Sequence, residues 1–99
     1  MAALLKQLGL DHVAGHRPSE ASLGEQQRSA VARALVLAPG ALILDEPTAH
    51  QDAPTAARIV DAIGRAAFDG AAVLVATHDR AVVDVAHRRL GMADGRLVG

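Results

Sequence analysis

Residues 41–47 read Ala41-Leu42-Ile43-Leu44-Asp45-Glu46-Pro47, an apolar run that ends in two adjacent carboxylates and a proline. Four apolar residues in succession suit a strand covered on both faces, and Pro47 lacks the N–H that a central strand would need to continue. Asp45 and Glu46 therefore fall at the carboxyl end of a strand, where open α/β sheets place their ligands. Charge brought out of water calls for a partner or a reaction, so the pair suits a cation and a water. An acidic pair that merely begins a loop is the plain alternative.

Downstream, Pro54 suits the first turn of a helix whose apolar positions Ala56, Ile59, Val60, Ile63 and Ala67 recur at helical spacing. Asp69-Gly70 closes that helix, and Ala72-Val73-Leu74-Val75-Ala76 forms a second continuous apolar run. Residues 41–76 thus read as strand, crossover helix and parallel strand, a βαβ unit expected to be right-handed. Residues 80–86 predict a short helix. The segments on either side of Asp94-Gly95 predict a small terminal hairpin.

Upstream, Ser22-Leu23-Gly24-Glu25 has the Ser-x-x-Glu spacing of a capping box, followed by Val31, Ala34, Leu35 and Ala38 on one helical face. A helix over about 24–37 follows, ended by Pro39-Gly40. Residues 2–8 suit a short helix stopped by Gly9, and residues 10–20, with Gly15, Pro18 and Ser19, read as a connector.

Composition narrows the function further. The 99 residues fit one domain at most, and 51% hydrophobic residues supply a core, but the single aromatic, Phe68, leaves that core to Ala, Val, Leu and Ile, which argues against stability on its own. A formal net charge of -1 with dispersed Lys and Arg provides no field for a polyanion, which argues against a nucleic-acid reader. The absence of cysteine removes disulfide and thiolate chemistry and fits a reducing compartment. Residues 71–76 are apolar without interruption, far short of the roughly 20 residues that span a bilayer, and residues 1–8 lack the pattern of a secretory signal.

Three places carry candidate chemistry. Asp45 can hold Mg²⁺, and Glu46 can orient or deprotonate an attacking water. The next strand ends in Thr77-His78-Asp79, and parallel pairing brings His78 near Glu46; a histidine there can meet a terminal phosphate or simply cap the next helix. Ser22-Leu23-Gly24 opens a helix, where backbone N–H groups and the positive dipole end receive an anion, or where the capping box serves the helix alone. His12 and His16 are four apart, but Gly15 and Pro18 disfavour a helix there and no glutamate completes a metalloprotease pattern. They read as connector residues.

Taken in order, these features resemble the C-terminal half of an ATP-binding cassette (ABC) ATPase over nearly the whole chain, from about residue 4 to 97. Ala21-Ser22-Leu23-Gly24-Glu25-Gln26-Gln27-Arg28 looks like the family's signature, and Leu42-Ile43-Leu44-Asp45-Glu46-Pro47-Thr48 like its Walker B strand and catalytic glutamate. Ala49-His50-Gln51-Asp52 looks like the D-loop, and Thr77-His78-Asp79 like the switch histidine. The resemblance implies a partial P-loop NTPase fold of α/β class, with a signature helix, a parallel βαβ core and a small C-terminal hairpin. It divides the chain into the end of a helical subdomain and connector (1–20), the signature helix (21–38) and the Walker B, D-loop and switch core (39–99).

The resemblance further implies Mg²⁺ coordination by Asp45, water activation by Glu46, γ-phosphate sensing by His78 and dimer communication by Asp52. Ser22, Gly24 and Glu25 of the signature would face ATP held by a second cassette. The expected protein is the ATP-binding subunit of an ABC transporter, cytoplasmic and bound to the inner face of the plasma membrane through a permease. Alternatives are an inert cassette remnant or interaction module, and a soluble ABC ATPase without a transport role.

Two departures qualify that expectation. Lys6 is the only lysine and follows Met-Ala-Ala-Leu-Leu, so these 99 residues contain no Gly-x-x-x-x-Gly-Lys-[Ser/Thr] loop to cradle phosphates, and the chain alone is expected to be inactive. Leu23 stands where the signature has its first glycine, and Gln51 where the D-loop has an apolar residue.

Overall fold

The computed structural model describes residues 7–8, 22–37 and 40–98. The expected helix at 2–8, except for Gln7 and Leu8, and the connector with His12 and His16 lie outside the described residues. Helix α1 spans Leu23–Val36, strand β1 Ala41–Asp45, helix α2 Ala53–Phe68 and strand β2 Ala72–Ala76; a short helix α3, Arg80–Val85, leads to β3, Met92–Ala93, and β4, Arg96–Leu97. The capping box at Ser22 forms as its spacing predicts: Glu25 N–H donates to Ser22 Oγ at 3.1 Å and Ser22 N–H to Glu25 Oε1 at 3.0 Å. Asp52 caps α2 by accepting from Thr55 N–H at 2.9 Å, with Pro54 in the first turn, where its missing N–H is harmless. Beyond Phe68 the chain turns through Gly70 at φ 108°, a conformation that glycine adopts without steric cost.

β1 and β2 pair in parallel, with Leu42 opposite Val73, Leu44 opposite Val75 and Asp45 opposite Ala76. Strand alternation then sorts the side chains. Leu44, Val73 and Val75 meet Val31 and Ala32 of α1 and Ile59, Ala62 and Ile63 of α2, with Leu8 buried in the same cluster. Burying each large aliphatic side chain of this set stabilises the fold by about 1.5–3 kcal/mol, and the packed helical faces outweigh intrinsic helix propensity.

The other face differs from the sequence expectation of two-sided cover. Leu42 and Leu44 are 5% and 7% exposed, but Ile43 between them is 81% exposed, and Leu74 on the neighbouring strand is 61% exposed. The physical reason is layer count: α1 and α2 both contribute to the core cluster on the Leu44 side, and among the described residues no second layer covers Ile43 and Leu74. The terminal hairpin pairs Met92 with Leu97 and Ala93 with Arg96. Its turn has Asp94 at φ 52° and Gly95 at φ 76°, two successive left-handed residues that match the twist of a tight hairpin.

Candidate functional site

The carboxyl ends of β1 and β2 carry the candidate residues. Asp45 ends β1 on the open face, exposed. Glu46 follows and leaves the strand direction at φ 46°, with its N–H still donating to Ala76 O at 2.7 Å. Its carbonyl accepts from Ala49 N–H at 3.1 Å, closing a turn in which Pro47 and Thr48 are buried. Left-handed backbone is uncommon in a residue other than glycine and persists where the surroundings over-determine it.

The Glu46 carboxylate is met from the β2 side. His78 Nδ1 lies 2.7 Å from Oε1, His78 N–H donates to Oε1 at 3.1 Å, and Thr77 Oγ1 donates to Oε2 at 3.2 Å. The hydrogen bond from the His78 ring is the chief reason the Glu46 pKa falls below its ordinary 4.5, with Thr77 adding to it and partial desolvation opposing. Glu46 is thus an anion at neutral pH, and the imidazole that faces it donates from Nδ1. The remainder of the His78 side chain is fully exposed. Below this pair, buried Thr48 donates from Oγ1 to Asp79 Oδ2 at 2.6 Å, and Asp79 Oδ1 caps α3 by accepting from Ala81 N–H at 3.0 Å. Asp79, rather than His78, is the N-cap of α3, so the histidine is left for other work.

The N-terminus of α1 approaches the same loop. Gln51 Oε1 accepts from Arg28 Nη1 at 2.6 Å, and Gln51 Nε2 donates to Gly24 O at 2.9 Å and to Ala49 O at 3.1 Å. A Cβ at Gly24 would lie 2.8 Å from the carbonyl oxygen of His50, so glycine is needed there by the chain's own packing. Leu23 is 64% exposed and turned away from that contact. Glu25 is engaged in the cap with Ser22. Asp52 caps α2, and hydrogen bonds from Thr55, side chain first and backbone second, hold its carboxyl below the ordinary 3.8.

The structure therefore brings Glu46 and His78 into direct contact, with Asp45 adjacent to Glu46. It leaves Ser22, Gly24 and Glu25 at the start of α1 and Asp52 at the start of α2. Gln27, Thr77, Thr48 and Arg28 join these loops without having been singled out for it from sequence. Their signal was faint, because a polar residue inside a motif but without a role of its own there reads as surface until the loops are folded together.

A parallel strand pair with a crossover helix and a carboxylate–histidine contact at its carboxyl end is an α/β core of the kind that places ligands at the strand ends. A family model for ABC transporters matches residues 1–49. Among solved structures, the dimeric structure of MJ0796, a bacterial ABC transporter cassette, superimposes with a TM-score of 0.76 at 36% identity, over 84% of this chain and 37% of that one. The dimeric post-hydrolysis state of the MJ0796 cassette bound to ADP and Pi gives 0.74 at 37% identity, over 82% and 36%. The chain belongs to the ABC cassette family of ATPases, and it spans a little over a third of the length of the cassette it matches.

Proposed function

We propose that this chain is the signature, Walker B, D-loop and switch-histidine part of the ATP-binding subunit of an ABC transporter. In that role it takes part in Mg-ATP hydrolysis coupled to transport through a membrane permease. The observation that carries the reading is the 2.7 Å contact between Glu46 and His78 at the carboxyl end of the strand that bears Asp45. The division into a connector (1–20), a signature helix (21–38) and a Walker B, D-loop and switch core (39–99) belongs to the same proposal.

Among the described residues no group of three or more His, Asp or Glu side chains could hold a metal. Mg²⁺ takes one or two carboxylates and completes its octahedron with phosphate oxygens and water, so it calls for no such cluster. Asp45, exposed at the strand end, is the carboxylate for it. When bound, Mg²⁺ neutralises charge on the phosphates. Glu46, ionised and held at the strand end, accepts a proton from or orients the attacking water. His78, whose ring is exposed beyond its Nδ1 contact, reaches the γ-phosphate. Ser22, Gly24 and Glu25 face ATP on a second, head-to-tail cassette, to which Asp52 in the D-loop relays closure. The dimers seen for the solved relative favour such a partner. No described helix is long and apolar enough to cross a membrane; in this reading the membrane contact is made by the permease, with the cassette at its cytoplasmic side.

The test is steady-state hydrolysis of Mg-ATP by the full-length protein with the partners it needs for turnover. Glu46→Gln should lower kcat by about 10²- to 10⁴-fold, the range for a lost general base. Unchanged turnover would remove Glu46 from the role.

A further inference from the structure

The turn that carries Glu46 is gripped by a side chain from outside the site. Gln27, in the second turn of α1, donates from Nε2 to the carbonyl oxygen of Glu46 at 2.7 Å, across 19 residues of sequence and in a partly buried setting. The same carbonyl receives the longer 3.1 Å bond from Ala49 N–H. Glu46 occupies left-handed backbone at φ 46°, so its peptide needs external hold to stay in place. One side of the residue is fixed by its N–H on Ala76 O, and the carboxylate by Thr77 and His78. The carbonyl that follows has only the turn bond and Gln27. Without that hold the left-handed residue is free to relax, and the aim of its carboxylate with it.

The docking of α1 does not depend on Gln27 alone. That docking has its own fasteners, the Arg28 to Gln51 bond at 2.6 Å and the Gln51 to Gly24 bond at 2.9 Å. We propose that Gln27 is a positioning residue for Glu46, its carboxamide holding the Glu46 carbonyl so that the carboxylate stays aimed at the reacting water. The proposal rests on the reading of Glu46 as the group that activates water. It also gives α1 a direct connection to that group, because a shift of the helix along its axis changes the Gln27 bond.

The experiment compares Gln27→Met, which keeps length and removes the donor, with Gln27→Glu, which keeps shape and hydration and replaces the donor by an acceptor. Each is made in the full-length protein, assembled as it turns over ATP, with Glu46→Gln alongside. Turnover is expressed per nucleotide-binding site, titrated with a non-hydrolysable ATP analogue, so that loss of folded protein is divided out. Both Gln27 variants should lose about 10- to 100-fold in kcat, the scale of a misplacement near 1 Å, with KM for ATP unchanged within about two-fold. Turnover per site equal to the parent in both variants overturns the positioning role. A Glu46→Gln variant that hydrolyses at the parent rate overturns instead the assignment of Glu46, and the Gln27 proposal with it.

Discussion

On one face of β1, Leu42 and Leu44 are 5% and 7% exposed; on the other face, Ile43 between them is 81% exposed. The three residues are alike in size and apolarity, and only the presence of α1 and α2 on the Leu44 side separates them. The packed side also supports the site, since α1 reaches the Glu46 turn through Gln27 and the following loop through Arg28. The open side carries Asp45 at its edge. Parallel sheets are ordinarily covered on both faces, and this chain spans 37% of the solved cassette it matches. The contrast teaches that an apolar run states the need for two layers, whereas the layers themselves come from distant segments.

The contrast can be broken most forcefully at Ile59, fully buried against the packed face. Ile59→Ala should destabilise the full-length protein by about 2–5 kcal/mol in urea unfolding. Ile43→Ala in the same protein should stay within about 0.5 kcal/mol, as exposed substitutions do. Equal losses at the two positions would mean that the open face is covered in solution. Gly24→Ala probes the seam between the packed helix and the loop, where the new Cβ meets the His50 carbonyl at 2.8 Å. Overpacking of this kind costs about 1–3 kcal/mol, against which alanine's better helix propensity returns under 1 kcal/mol. A net loss of stability is expected, and a gain would show that the loop yields.

The smallest effect concerns Asp52 at the cap of α2. Its folded-state pKa is depressed by Thr55, so its contribution is present above its ordinary value of 3.8 and is lost as pH falls through the folded value. Asp52→Asn keeps a capping oxygen without the titration. The stability advantage of the parent over this variant should therefore shrink as pH is lowered from 5 toward 2, as read from thermal midpoints across that range. A gap constant with pH would deny the carboxylate its role in the cap.

Much of the fold was legible locally. The Ser-x-x-Glu spacing, Pro54 after Asp52, the apolar runs at 41–44 and 72–76 and Asp94-Gly95 each act within a few residues, and each of these elements formed near its expected bounds. The Glu46 and His78 contact was foreseeable too, because parallel pairing of two strands sets their ends side by side. The grips of Gln27 on Glu46, of Gln51 on α1 and of Thr48 on Asp79 were not legible, since they join positions 19 to 31 residues apart through long, rotatable or small polar side chains. Gly24 is instructive. Its place in a signature-like motif suggests close approach to a nucleotide, while the structure supplies an internal reason in the carbonyl of His50.

By itself, the sequence determined the family, the order of elements and the two carboxylates at the end of an apolar strand, because capping, periodicity and turn chemistry are short-range. Tertiary structure alone decided which face of that strand is packed and that Glu46 stands in left-handed backbone under the hold of Gln27 and His78. Those outcomes depend on the distances between segments remote in the chain, which no local pattern encodes.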